Sequence, residues 1–156
     1  MTIVKLPEMN EKEISEAIER ENLCRIGFID GKYPYISPFQ YIYFQNSMYF
    51  HFTDYGKKKR ILEKNRNVCV SIEHFADDLS EYFFISMQGK LILLEDESEK
   101  KMVLRKMIES AKNKFSSNFI SAHGFDKNNG WDGFKIADQI IYKFKKTSKP
   151  VALKSL

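Results

Sequence analysis

The chain has 156 residues, 43% of them hydrophobic and 29% charged, which is the balance of one globular domain and excludes disordered, collagenous and fibrous classes. The net charge of +4 (25 basic against 21 acidic residues) permits an anionic ligand without demanding one. No apolar run approaches the roughly 18 residues of a membrane helix, and the first residues lack the basic-then-apolar plan of a signal peptide.

Residues 10–21 read as a short amphipathic helix. Asn10 caps it, Glu13 completes a capping box, and Ile14, Ala17 and Ile18 share one face. Residues 23–29 read as a strand, and Asp30-Gly31 as a hairpin turn. Residues 32–44 read as one long strand with Tyr33, Tyr35, Phe39, Tyr41 and Tyr43 at odd positions. Pro34 and Pro38 lack the N–H that a ladder needs, so this strand lies at an edge, at a bulge or against a ligand. Gln45-Asn46-Ser47 is the next turn, and residues 48–53 the next strand.

Residues 57–65 read as a short helix with Ile61 and Leu62 inward, and residues 68–73 as a strand. Residues 74–80 are polar enough for a loop. Residues 82–94 form a long strand, bent at Gly89. Residues 96–115 form the strongest helix, with Leu104, Met107, Ile108, Ala111 and Phe115 on one stripe. Residues 116–133 are an irregular connection, residues 134–145 a last strand, and the tail from Thr147 is loosely held. The whole is one domain, residues 1–156, with its core at about 10–146. It is an α+β fold, an antiparallel barrel with peripheral helices.

The segment from Met48 to Arg60 carries the chemistry. A strand ends in Thr53, a glycine turn follows, and a helix opens on Lys57, Lys58 and Lys59. Helix N-termini present free N–H groups and favour anions, whereas cations are unfavourable there. Three lysines at that place point to a phosphate, with the Thr53 hydroxyl as a further donor; the alternative is a solvated charged face. Cys24 and Cys69 fall on strands and read as buried thiols, which exclude a disulfide scaffold and fit a reducing, cytoplasmic setting. His74 and His123 read as solvated, and no metal site is expected.

Three blocks resemble the FMN-binding split-barrel superfamily, which includes pyridoxamine 5'-phosphate oxidase and the nitroimidazole-resistance proteins. The first runs from Cys24-Arg25-Ile26-Gly27-Phe28-Ile29-Asp30-Gly31 through Pro34-Tyr35-Ile36-Ser37-Pro38 and Met48-Tyr49-Phe50-His51 to the lysine segment, Leu62-Glu63-Lys64-Asn65 and Val68-Cys69-Val70. The second is Ser86-Met87-Gln88-Gly89-Lys90-Leu91, and the third Trp131-Asp132-Gly133-Phe134-Lys135-Ile136. The resemblance implies an antiparallel split β-barrel that forms a homodimer, with FMN between the subunits and a small-molecule substrate.

It implies phosphate contacts from Lys58 and Lys59, with Lys57 beside them and Thr53 as the hydroxyl. It implies that the backbone of Ser37, Pro38, Phe39, Gln40 and Tyr41 faces the flavin ring, near His51 and Phe52. It also implies a contact from Gln88 and a proton-relay role for His51, for which local packing is the alternative; Trp131 reads as a cover for a cofactor face or, alternatively, as a core or interface anchor. The lysine after Trp131 stands where the oxidase has arginine, which speaks against a vitamin B6 oxidase. The flavin carries the redox chemistry, so no catalytic dyad is needed. The rival expectation is a non-catalytic module that stores or senses flavin or haem on the same barrel. A nucleic-acid binder ranks last, since one lysine cluster falls short of a basic stripe.

Overall fold

A computed structural model describes residues 3–114, 116 and 136–156. Helix α1 (Glu11–Arg20) begins as the sequence dictates: the Asn10 side chain accepts from the Glu13 N–H, and the Glu13 carboxylate accepts from the Asn10 N–H. Its buried residues Ala17 and Ile18 enter the core.

Strands β1 (Leu23–Asp30) and β2 (Tyr33–Gln40) form the expected hairpin, and Gly31 takes the left-handed φ of 59° that its turn requires. The single strand expected over residues 32–44 is two strands. After Tyr41 the chain changes partner, and β3 (Ile42–Phe44) pairs with β4 (Ser47–Phe52) instead of β1. Tyr35, Ser37 and Phe39 of β2 turn inward while Tyr33 is exposed, and the alternation continues through the change of partner, with Tyr41 and Tyr43 on the main core and Phe44 on the smaller one.

Helix α2 (Lys57–Lys64) follows and buries Ile61 and Leu62. Strand β5 (Asn67–Phe75) is longer than expected. His74 and Phe75, read as loop, pair with Phe83 and Tyr82 of β6 (Tyr82–Leu93), because rings stack across the hairpin and outweigh the polarity of the segment. Helix α3 (Glu97–Lys114) buries Val103, Leu104 and Ala111; Val103 was not on the expected stripe. A 3₁₀ turn (Ile136–Asp138) precedes β7 (Ile140–Lys146), so the last expected strand starts later than residue 134.

The tail is held, contrary to expectation. Strand β8 (Val151–Lys154) pairs with residues 83–86 of β6, and Leu153 bridges to Glu8. The cause lies in β6, which is long enough to pair with β7 over residues 89–93 and leave its first half open on the same edge. Gly89 allows this crossing: a Cβ there would lie 2.3 Å from the Lys145 carbonyl oxygen and 2.6 Å from the Phe144 ring.

The strand order is β2-β1-β5-β6-β7-β4-β3, with β8 on β6 and every pair antiparallel. β2 and β3 end this order yet are separated in the chain by Tyr41 alone, so the sheet must curl until its ends approach. Across the interior Phe39 of β2 lies 4.8 Å from Phe52 of β4, ring centre to ring centre. The result is a split antiparallel barrel with three α-helices among the described residues. Its interior is the main core, and α3 builds a smaller one on the outer face with Tyr49, Leu94 and Ile141. No described helix is long and apolar enough to cross a membrane.

Candidate functional site

Strand β4 delivers Phe52 and Thr53 to one end of the barrel. Gly56 then turns the chain at φ 93°, a conformation that favours glycine, and α2 starts with no side chain capping it. Consecutive helical residues project about 100° apart, so the three lysines diverge. Lys57 reaches back to the hairpin, 2.9 Å from Asp30 Oδ2 and 4.5 Å from the Tyr35 ring centre. Lys59 turns the other way, 2.7 Å from Asp54 Oδ1 and 3.9 Å from Glu63 Oε1. The hydrogen bond to Asp54 raises its pKa, helped by the charges of Asp54 and Glu63.

Lys58 has no carboxylate partner among the described residues; its ammonium lies 4.8 Å from the Phe39 ring centre. The cost of three cations at a helix start is therefore met at Lys57 and Lys59 by carboxylates, and is left open at Lys58. The Thr53 hydroxyl donates to the Tyr55 carbonyl at 3.1 Å, so it faces an anion as a donor only after giving up that bond.

β2 is an edge strand. A two-residue hairpin makes Asp30 and Tyr33 a hydrogen-bonded pair, and alternation then leaves Pro34, Ile36, Pro38 and Gln40 at non-bonded positions. Their backbone groups point to the open edge, where the two prolines forfeit no ladder bond. The side chains of the segment expected to turn its backbone to the ring alternate. Ser37, Phe39 and Tyr41 are buried inward, while Pro38 and Gln40 lie on the outer side. The Tyr41 side chain works locally: its hydroxyl donates to the Ile18 carbonyl at 2.7 Å, and burial raises its pKa strongly.

The remaining expected residues are dispersed. Phe52 faces the interior against Tyr142, 5.0 Å between ring centres. His51 points to the opposite face, level with Ile141 under α3, and its Nε2 lies 2.8 Å from Gln139 Oε1. Gln88 is exposed on the outer face of β6, opposite Cys69. Trp131 and His123 lie outside the described residues. Cys24 and Cys69 are free thiols, and burial pushes Cys24 up to about 12.

A cleft of about 600 Å³ opens between the end of β4, the β6–α3 junction and the start of β7. It is lined by Phe52, Thr53 and Lys59, and by Leu94, Gln139 and Tyr142, which sequence reasoning did not single out. Tyr142 was visible only as an alternating position of a late strand. Nothing local relates it to Thr53.

The curled sheet and the strand–Thr–Gly–lysine turn define a split-barrel protein. The family model described as pyridoxamine 5'-phosphate oxidase matches residues 10–123, and the chain belongs to this family. No curated protein matches the chain significantly in sequence. Among solved structures, the chain is similar to an FAD-binding protein of Mesorhizobium loti, with 15% identity, 98% of this chain and 100% of that one covered, and a TM-score of 0.67. A proposed 5-nitroimidazole antibiotic resistance protein of Bacteroides thetaiotaomicron has 21% identity, covering 96% of this chain and 90% of that one, with a TM-score of 0.66. The haem storage protein HutZ of Vibrio cholerae has 14% identity, covering 92% of this chain and 94% of that one, with a TM-score of 0.62. At these identities the likeness is one of fold.

Proposed function

We propose that the chain is an FMN-binding flavoprotein, a cytoplasmic homodimer that oxidises or reduces a small molecule. The observation that carries this reading is the uncapped start of α2, with Lys58 lacking a carboxylate partner among the described residues. A phosphate there accepts from the first-turn N–H groups and from the Lys58 ammonium, and the helix dipole adds to both. Membership of the pyridoxamine 5'-phosphate oxidase family and the FAD-binding neighbour support a flavin at this site. Two free thiols agree with a reducing compartment.

FMN supplies the electron transfer itself. Lys58 and the α2 backbone hold its phosphate, with Lys57 and Lys59 setting the local field through their carboxylate partners. Thr53 offers its hydroxyl in exchange for the Tyr55 carbonyl. Within the segment from Ser37 to Tyr41, Pro38 and Gln40 offer backbone groups at the open edge of β2 to the ring. Gln88 and Trp131 complete the proposed contacts. His51 acts through Gln139, which lines the cleft, and so serves as a positioning group for protons delivered there.

The visible spectrum of the purified protein tests this reading. A flavin spectrum, with FMN released on denaturation, supports it. A Soret band moves the protein to the haem-binding alternative. A colourless protein that takes up no added FMN contradicts it.

A further inference from the structure

A phosphate at the start of α2 leaves most of the cleft beside it without an occupant, and the chemistry of that cleft differs from the rest of the chain. A protein of net charge +4 lines it with four carboxylates, Asp54, Glu63, Glu95 and Glu97, against two ammonium groups, Lys59 and Lys100. Lys59 is held by Asp54 at 2.7 Å, with Glu63 at 3.9 Å, and Lys100 donates to the Ala137 carbonyl at 3.3 Å. Glu95 and Glu97 have no hydrogen bond or ion pair among the described residues. The capping of α3 does not occupy them: it falls to Asp96, whose carboxylate accepts from the Glu99 N–H at 2.6 Å. All four carboxylates are exposed, whereas Phe52 and Leu94 are buried and Ile140 and Tyr142 half-buried. The mouth is therefore acidic and the floor apolar. Tyr142 already meets one cation, the Arg66 guanidinium, 5.9 Å from its ring centre.

We propose that this cleft binds a flat organic cation, an aromatic ring carrying an ammonium group, and turns away carboxylates and phosphate esters. A volume of about 600 Å³ suits a small molecule. The ring of the ligand packs on Phe52 and Tyr142, and its ammonium meets Glu95 and Glu97. An anionic ligand of the same shape faces two uncompensated carboxylates, and such like-charge contacts are what exclude wrong partners. The site goes beyond the flavin reading and adjoins it. The two share the Phe52 ring, whose centre lies 4.8 Å from Phe39, the ring that Lys58 covers, and 5.0 Å from Tyr142.

Calorimetric titration of the full chain with three indoles of similar shape tests this assignment. Tryptamine ends in an ammonium, tryptophol in a hydroxyl and indole-3-propionate in a carboxylate. Tryptamine is expected to bind roughly tenfold tighter than tryptophol, the gain that two partly exposed charge pairs supply, and indole-3-propionate roughly tenfold weaker than tryptophol. In Glu95→Gln/Glu97→Gln the tryptamine advantage should fall to within about threefold, while tryptophol binds as before and circular dichroism is unchanged. Equal affinity for the three indoles, or binding by none of them, overturns the assignment. So does an ammonium preference that survives in the double variant, or an equal loss of tryptamine and tryptophol in it. FMN titration is read separately. Displacement of tryptamine by FMN gives the cleft to the flavin and overturns the assignment. A chain that takes up no FMN yet prefers tryptamine sinks the cofactor reading alone, and one that holds FMN without preferring tryptamine sinks the cleft assignment alone.

Discussion

The Lys58 ammonium lies over the Phe39 ring, 4.8 Å from its centre, and so joins the first turn of α2 to the edge strand β2. A cation–π contact at a partly exposed site contributes about 0.5–1 kcal/mol. A charge-assisted hydrogen bond contributes roughly 1.5–3 kcal/mol. Lys58 can therefore leave the ring for an anion at a net gain, whereas Lys57 and Lys59 must first release Asp30 and Asp54. The same contact brings Lys58 to the inward side of β2, whose Pro38 and Gln40 turn their backbone groups to the open edge.

Tyr41 separates fold from site. Its buried hydroxyl satisfies the Ile18 carbonyl and ties the end of α1 to the barrel. Tyr41→Phe should cost about 1–2 kcal/mol by urea denaturation, since a buried acceptor loses its donor. FMN affinity should stay within about threefold, roughly the 0.6 kcal/mol by which such titrations are resolved.

Gly89 is required by the crossing of β6 and β7. Gly89→Ala places a methyl group against the Lys145 backbone and the Phe144 ring, neither of which is a loose side-chain end. The expected loss is about 1–3 kcal/mol or more, seen as a lower midpoint in thermal or urea unfolding. Gly31→Ala has open space around it and is strained only through its φ of 59°, so its loss should be the smaller of the two.

Tyr49, Glu99 and Lys143 pin α3 to the outer sheet face. The Tyr49 hydroxyl donates to Glu99 at 2.6 Å and Lys143 to the same oxygen at 2.8 Å. Lys143 first, and Tyr49 second, hold the Glu99 carboxyl below its ordinary value of 4.5. A depressed carboxyl stabilises the fold above its unfolded pKa and loses that contribution as pH falls through the folded one. Tyr49→Phe should therefore cost about 1 kcal/mol near neutrality, and the gap between variant and wild type should narrow below about pH 4.5. Urea midpoints across that range check the sign. A gap that widens toward acid contradicts it.

Local chemistry wrote the parts of this fold that the sequence revealed. Asn10 and Glu13 sit at capping-box spacing, Asp30-Gly31 marks a turn by its own conformational preferences, and Ile61 and Leu62 show the buried face of α2. The split at Tyr41 was illegible because side-chain alternation continues through it while the hydrogen-bonding partner changes. β8 was illegible because its partner edge on β6 lies far away in sequence, and Lys149-Pro150 locally resembles a free tail. In the site, the lysine run and Thr53 were readable as a pattern, but not which lysine keeps a carboxylate. Asp30 reaches Lys57 only through the hairpin.

The most direct test is a paired titration of FMN and riboflavin into the apoprotein, wild type and Lys58→Ala. FMN binding should weaken roughly tenfold to a hundredfold, from one lost charge-assisted hydrogen bond of about 1.5–3 kcal/mol at 1.4 kcal/mol per decade. Lys59→Ala should weaken it less, because Asp54 and Glu63 already share that charge. Riboflavin lacks the phosphate, and its affinity should be the same in all three proteins. Unchanged FMN affinity in Lys58→Ala, or equal losses for FMN and riboflavin, contradicts a phosphate site at the start of α2.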